Sequence, residues 1–286
     1  LKIRPRLPRL DADTGRFFTL IVPGMFAAGI GQINLVVGTS IATGQAGAAA
    51  WLYYADRLYQ LPLGVIGVAL AVALLPELTR HIARNDLTLA ENSQNLAVSL
   101  AMMVTLPAAA GLFVLAGPIV NVLFERGAFS AADTRATAAG LQFFCIGLPA
   151  FVLIKALQPF FFARQDTRSP FIDGAVGVAA NITLSLSLFG YMGHVAIALA
   201  TAVAGWLTVT LMLTRLWRQG LWRPGAVLVR QLAVQLMASL VMGAVIGYGA
   251  QIWMPEPALA GLSFALICSS LPVVRALASS TPLIDF

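Results

Sequence analysis

The chain has 286 residues, 59% of them hydrophobic and only 10% charged, with a mean hydropathy of +0.84. A soluble domain carries about a quarter charged residues, so composition excludes an ordinary soluble fold and points to a polytopic membrane protein. The net charge of +6 gives no reason to expect a nucleic-acid partner, because the basic residues sit in short segments between apolar runs rather than along one face.

Residues 1–16 hold Lys2, Arg4, Arg6 and Arg9 and read as a cytoplasmic loop. A start at Leu1 in a loop-like stretch suggests a fragment beginning between helices, and no cleavable signal peptide is visible. A membrane-crossing helix needs roughly 20 apolar residues. Eight runs meet that length: Phe17–Thr43, Arg57–Leu78, Ser93–Ala116, Thr137–Ala163, Pro170–Gly190, Val195–Trp217, Val227–Ile252 and Ala258–Leu277. The expected fold is therefore all-α, with eight transmembrane helices.

The first run is studded with Gln32, Asn34, Thr39 and Ser40. At the mouth of the second lie Asp56 and Arg57, expected to pair with each other, and no further charge follows until Glu77. An ionisable residue at the edge of a span is costly and so a functional candidate. Arg57 admits two readings, a snorkelling interfacial arginine among belt tyrosines or a cavity-lining group. After the third run, Gly117–Arg126 is too short to cross and is expected to form an interfacial helix ended by Gly127.

Lys155 lies about two turns, roughly 12 Å, inside the fourth run, too deep to snorkel comfortably, and should face an aqueous cavity or a buried partner. The turn Ala163-Arg164-Gln165-Asp166-Thr167-Arg168-Ser169-Pro170 has Asp166 free to cap the next helix or to pair with either arginine. Asn181, Thr183, Ser185, Ser187 and Thr201 stud the fifth and sixth runs, where small polar residues more often serve helix packing than ligands. Gly243 and Gly247 form a GxxxG pattern in the seventh run, the mark of close helix approach.

Orientation follows from the loops. Fourteen Lys and Arg residues fall in one alternate set of loops and termini, and only Arg126 and Arg135 in the other. The positive-inside bias puts both termini of this chain in the cytoplasm. Trp51, Tyr53, Tyr54, Tyr191 and Trp253 then mark the outer interface, and Trp217 and Trp222 the inner one. Cys145 and Cys268 read as small core hydrophobes. His81 and His194 stand alone, and no catalytic constellation, metal spacing or cofactor motif is present, so neither an enzyme nor a bound cofactor is expected.

Tyr53-Tyr54-Ala55-Asp56-Arg57-Leu58, Leu61-Pro62-Leu63-Gly64-Val65 and Leu74-Leu75-Pro76 resemble the MurJ (MviN) family of the MOP exporter superfamily. Lys155 followed by Phe162 to Pro170, and Gln32-Ile33-Asn34, carry the same likeness, so it extends over most of the chain. That family comprises lipid II flippases with two six-helix lobes and two C-terminal helices. The resemblance implies that residues 17–218 form the second lobe and residues 219–286 two helices making a groove for the undecaprenyl tail, with the first lobe missing. It also implies a bacterial inner-membrane location, alternating access, and lipid II and membrane lipids as partners.

Within that resemblance, Arg57 matches an arginine that receives the diphosphate-sugar headgroup, and Asp56, Gln60, Lys155, Asn34 and Asn181 complete the expected substrate-binding set. Some members have an acid at the position of Gln60. A cation site has been proposed for some relatives among the first, fifth and sixth spans. Here only Gln32, Asn34, Asn181, Ser185 and Thr201 are available, without a carboxylate, which argues against sodium coupling. The alternatives are a MOP-type exporter of drugs or of another lipid-linked oligosaccharide, and a non-transporting scaffold for cell-wall assembly. A drug exporter should show an intramembrane carboxylate for ion coupling, which the spans as drawn do not offer.

Overall fold

A computed structural model describes residue 32 and residues 34–84 and 86–253. Every element among the described residues is helical. They are α1 (residues 34–42), α2 (Ala48–Ala83), α3 (Leu87–Val114), α4 (Ala116–Phe124), α5 (Ala131–Ala163), α6 (Arg168–Met192), α7 (His194–Arg218) and α8 (Ala226–Trp253). Helices α3, α5, α6, α7 and α8 are long and apolar enough to cross a bilayer, which makes the chain a multi-pass membrane protein. The predicted eighth run and most of the first fall outside the described residues.

The helices extend past the apolar runs because intrahelical bonding continues into the interface wherever a cap permits. Gly47 takes φ 83°, a left-handed conformation open to glycine, and turns the chain into α2. Any Cβ there would fall 2.6 Å from the Trp51 ring. Ser130 and Asp133 form a capping box that starts α5 six residues before its predicted boundary at Thr137. The expected interfacial helix appears as α4. Its C-cap residue Glu125 accepts hydrogen bonds from Asn121 and from Thr134 of α5, both at 2.6 Å.

Helix α5 is the hub and packs against α2, α3, α4 and α7, burying Leu141, Leu148, Leu157, Phe160 and Phe161. Helix α6 lies on α7, and α8 on α3. Three seams depend on small residues. A Cβ on Gly147 of α5 would lie 2.9 Å from the Ala202 Cα of α7, and one on Gly177 of α6 would lie 2.2 Å from the Thr208 hydroxyl. The predicted GxxxG seats α8 on α3, with Gly243 against Ala110 and Gly247 against Val114. Farther along the same interface the Gln235 amide donates to the Ser99 carbonyl at 3.2 Å.

One local expectation changes, and one left open is decided. Trp222 is not an interfacial anchor: it is buried, and its indole donates to Asn95 of α3 at 2.9 Å. Asp166 pairs with neither neighbouring arginine. Its carboxylate caps α6 by accepting from the Ser169 backbone N–H at 2.9 Å, because the tight turn aims it at the free amides of the new helix.

The α5–α7 seam yields a test in the full-length protein. Gly147→Leu should destabilise it by about 1–3 kcal/mol, because the clash is with backbone that cannot rotate away. Gly174→Ala on α6, with nothing within 4 Å of its Cβ, should be neutral or slightly stabilising. Thermal unfolding in detergent measures both, and equal melting temperatures for Gly147→Leu and wild type would contradict the packing described.

Candidate functional site

A cavity of about 830 Å³ opens between α1, α2, α5, α6 and α7. Its α2 wall is built from Tyr53, Asp56, Gln60, Leu63, Gly64 and Gly67, recurring at helical spacing on one face. Phe144, Phe151 and Lys155 come from α5, Asn34 from α1, Asn181 from α6, and Ile197 and Thr201 from α7. Gly64 and Gly67 leave backbone rather than bulk along this wall, and the Lys155 stem lies beside Gly67.

Five of the six expected site residues line this one cavity. Gln60 donates its side-chain N–H to Asp56 Oδ2. Lys155 is exposed to the cavity, and among the described residues no carboxylate stands within ion-pair distance of it. Asn181 is the centre of a polar knot: its amide donates to Asn34 Oδ1 at 2.9 Å and to the Thr201 hydroxyl at 3.4 Å. Its own carbonyl accepts from Ser185 at 3.1 Å. These neutral groups satisfy one another, as polar side chains in a span must when no water is at hand.

The sixth, Arg57, stands apart. Adjacent residues on a helix project about 100° from each other, so Asp56 turns into the cavity while Arg57 does not. The expected Asp56–Arg57 ion pair is therefore absent. The Arg57 guanidinium instead lies 4.7 Å over the centre of the ring of Tyr53, a residue that lines the cavity. Below it on the same stripe Leu61 and Val65 are 66% and 75% exposed.

A charged residue inside the bundle was missed. Asp173 of α6 is 2% exposed and receives two hydrogen bonds from Arg215 of α7, Nη2 to Oδ1 at 2.6 Å and Nε to Oδ2 at 3.2 Å. The spans thus do contain a carboxylate, contrary to the sequence reading, but it is committed to an arginine across the seam. The signal was available: Asp173, Gly177, Asn181 and Ser185 recur every four residues and form the buried stripe of α6.

Among the described residues the chain is a multi-pass helical bundle with a largely apolar cavity that carries two charged side chains and several amides. The family model described as "Lipid II flippase MurJ" matches residues 1–268. A probable lipid II flippase MurJ of Rhizobium tropici is 46% identical over 257 residues, 89% of this chain and 48% of the relative. The Vibrio cholerae counterpart is 33% identical over 92% of this chain and 50% of its own length. A solved lipid II flippase MurJ in an inward closed conformation superposes with a TM-score of 0.78 at 23% identity, covering 95% of this chain and 56% of that one. A MOP superfamily transporter from Pyrococcus furiosus shares the fold at 0.60 and 14% identity, over 90% and 60%. The chain belongs to the lipid II flippase MurJ family. It spans about half the length of the curated relatives it matches.

Cavity access can be read chemically. In a cysteine-free background of the full-length protein, Lys155→Cys and Gly64→Cys should react with a small polar maleimide, whereas Leu157→Cys, fully buried beside them, should not. Equal protection of all three would show that no polar solution reaches this wall.

Proposed function

We propose that this chain forms the second lobe of a lipid II flippase, with residues 219–286 as a lipid-tail groove, and moves the headgroup outward by alternating access. The carrying observation is the convergence of Asp56, Gln60, Lys155, Asn34 and Asn181 on one roomy cavity. Residues so costly to place in a membrane concentrate where a polar cargo must pass. The protein makes and breaks no bond in this reading, and it works in the bacterial inner membrane with both ends of this chain cytoplasmic.

Chemistry gives the cations their roles. Lys155 presents a free ammonium deep in the cavity, fit for the diphosphate of a lipid-linked headgroup. Arg57 offers a guanidinium with two parallel donors to phosphate oxygens as the headgroup leaves. Export carries negative charge out of a negative cytoplasm, and each charge gains about 2.3 kcal/mol per 100 mV of membrane potential. A diphosphate therefore needs no coupled cation to travel outward.

Arg57 tests the assignment. In the full-length protein Arg57→Lys should impair growth of cells depleted of their own flippase, and Arg57→Ala should fail to support it at normal membrane levels. The failure should coincide with lipid II headgroups inaccessible from the outer face. Normal accessibility in Arg57→Ala would return this residue to the interfacial belt. For the groove, Val245→Asp places a charge on an exposed apolar face of α8 at an apparent cost of roughly 2.5–3.5 kcal/mol. That protein should insert yet lose export, and full export at wild-type abundance would make the helix passive.

A further inference from the structure

The cavity is electrically polarised along α2. Its two charged lining residues are of opposite sign: Asp56, near the Ala48 end, and Lys155, whose stem lies beside Gly67. From residue 56 to residue 67 the helix rises ~16 Å. The Lys155 end offers only donors from its ammonium. The Asp56 end offers the reverse. Gln60 spends its amide N–H on Asp56 Oδ2, so Asp56 Oδ1 and Gln60 Oε1 remain as acceptors that take no hydrogen bond from the described residues. The cation nearest in sequence, Arg57, is turned over Tyr53 and makes no ion pair with Asp56. An acceptor pair carrying a negative charge repels phosphate and suits a group with several N–H donors and a positive charge, which is a primary ammonium.

We infer that Asp56 and Gln60 form a subsite for a primary ammonium on the headgroup, while Lys155 takes the anionic end. Resting on the function proposed above, this assigns orientation: a headgroup bearing an amine and a diphosphate lies along α2 with its amine toward Asp56. A headgroup reversed in the cavity sets its diphosphate against the Asp56 carboxylate and its amine against the Lys155 ammonium. The subsite thus makes the free amine a criterion for cargo, one that a diphosphate contact alone cannot impose.

The test uses the full-length protein in lipid nanodiscs and two probes: a lipid-linked diphosphate muropeptide with its free amine, and the same lipid N-acetylated at that amine. Wild type should bind the acetylated form about tenfold more weakly, the scale of one charge-assisted hydrogen bond. Asp56→Asn keeps the size of the side chain and should bind both forms alike. Gln60→Glu adds a second carboxylate and should widen the preference, so a conclusion stands even if Asp56→Asn folds poorly. Lys155→Gln should weaken both forms equally. Equal affinity of wild type for the two probes, or a preference that survives in Asp56→Asn, overturns the ammonium subsite while leaving the flippase reading intact. Failure of wild type to bind either probe overturns the flippase reading and the subsite with it.

Discussion

Helices in a bilayer already satisfy their own backbones, and lipid is as apolar as leucine, so burying more hydrocarbon cannot by itself hold them together. What remains is close fit and the occasional polar contact. In this protein the fit is concentrated at Gly147 against Ala202 and Gly177 against Thr208, where α5, α6 and α7 approach until no Cβ could be added. The cavity lies between these three helices and α1 and α2.

The polar contacts reinforce the same seams. The Asp173–Arg215 pair bolts one end of α6 to α7, and the Asn181 knot ties the middle of α6 to α1 and α7. Removing one partner of a buried ion pair strands a charge, which is far costlier than never having had the pair. Both groups are used up internally, so they shape the cavity without reacting to what enters it. The groups left open, Asp56 with Gln60 and Lys155, are the ones a cargo can address. The distinction between spent and unspent polar atoms separates architecture from site more sharply than polarity does.

The sequence alone determined the class of protein, because length and hydropathy of the runs leave no alternative to membrane-spanning helices. It also pointed to Asp56 and Lys155, since a charge in a span carries a cost that demands a reason, whereas Gln60, Asn34 and Asn181 entered only through the family resemblance. The GxxxG in α8 and the short α4 were equally legible, each being a local pattern with one physical meaning.

Tertiary structure alone decided who meets whom. Asp56 and Arg57 are neighbours in the chain and looked like a pair, but the helical turn sends one into the cavity and the other over Tyr53. Asp173 and Arg215 lie 42 residues apart and nothing along the chain links them, yet the α6–α7 seam makes them one ion pair around a buried carboxylate. Trp222 seemed an interfacial anchor until packing on α3 enclosed it. Spacing along the chain fixes which face of a helix a side chain occupies, whereas its partner depends on how that face docks. Docking is set by small-residue contacts whose matching halves lie on different helices.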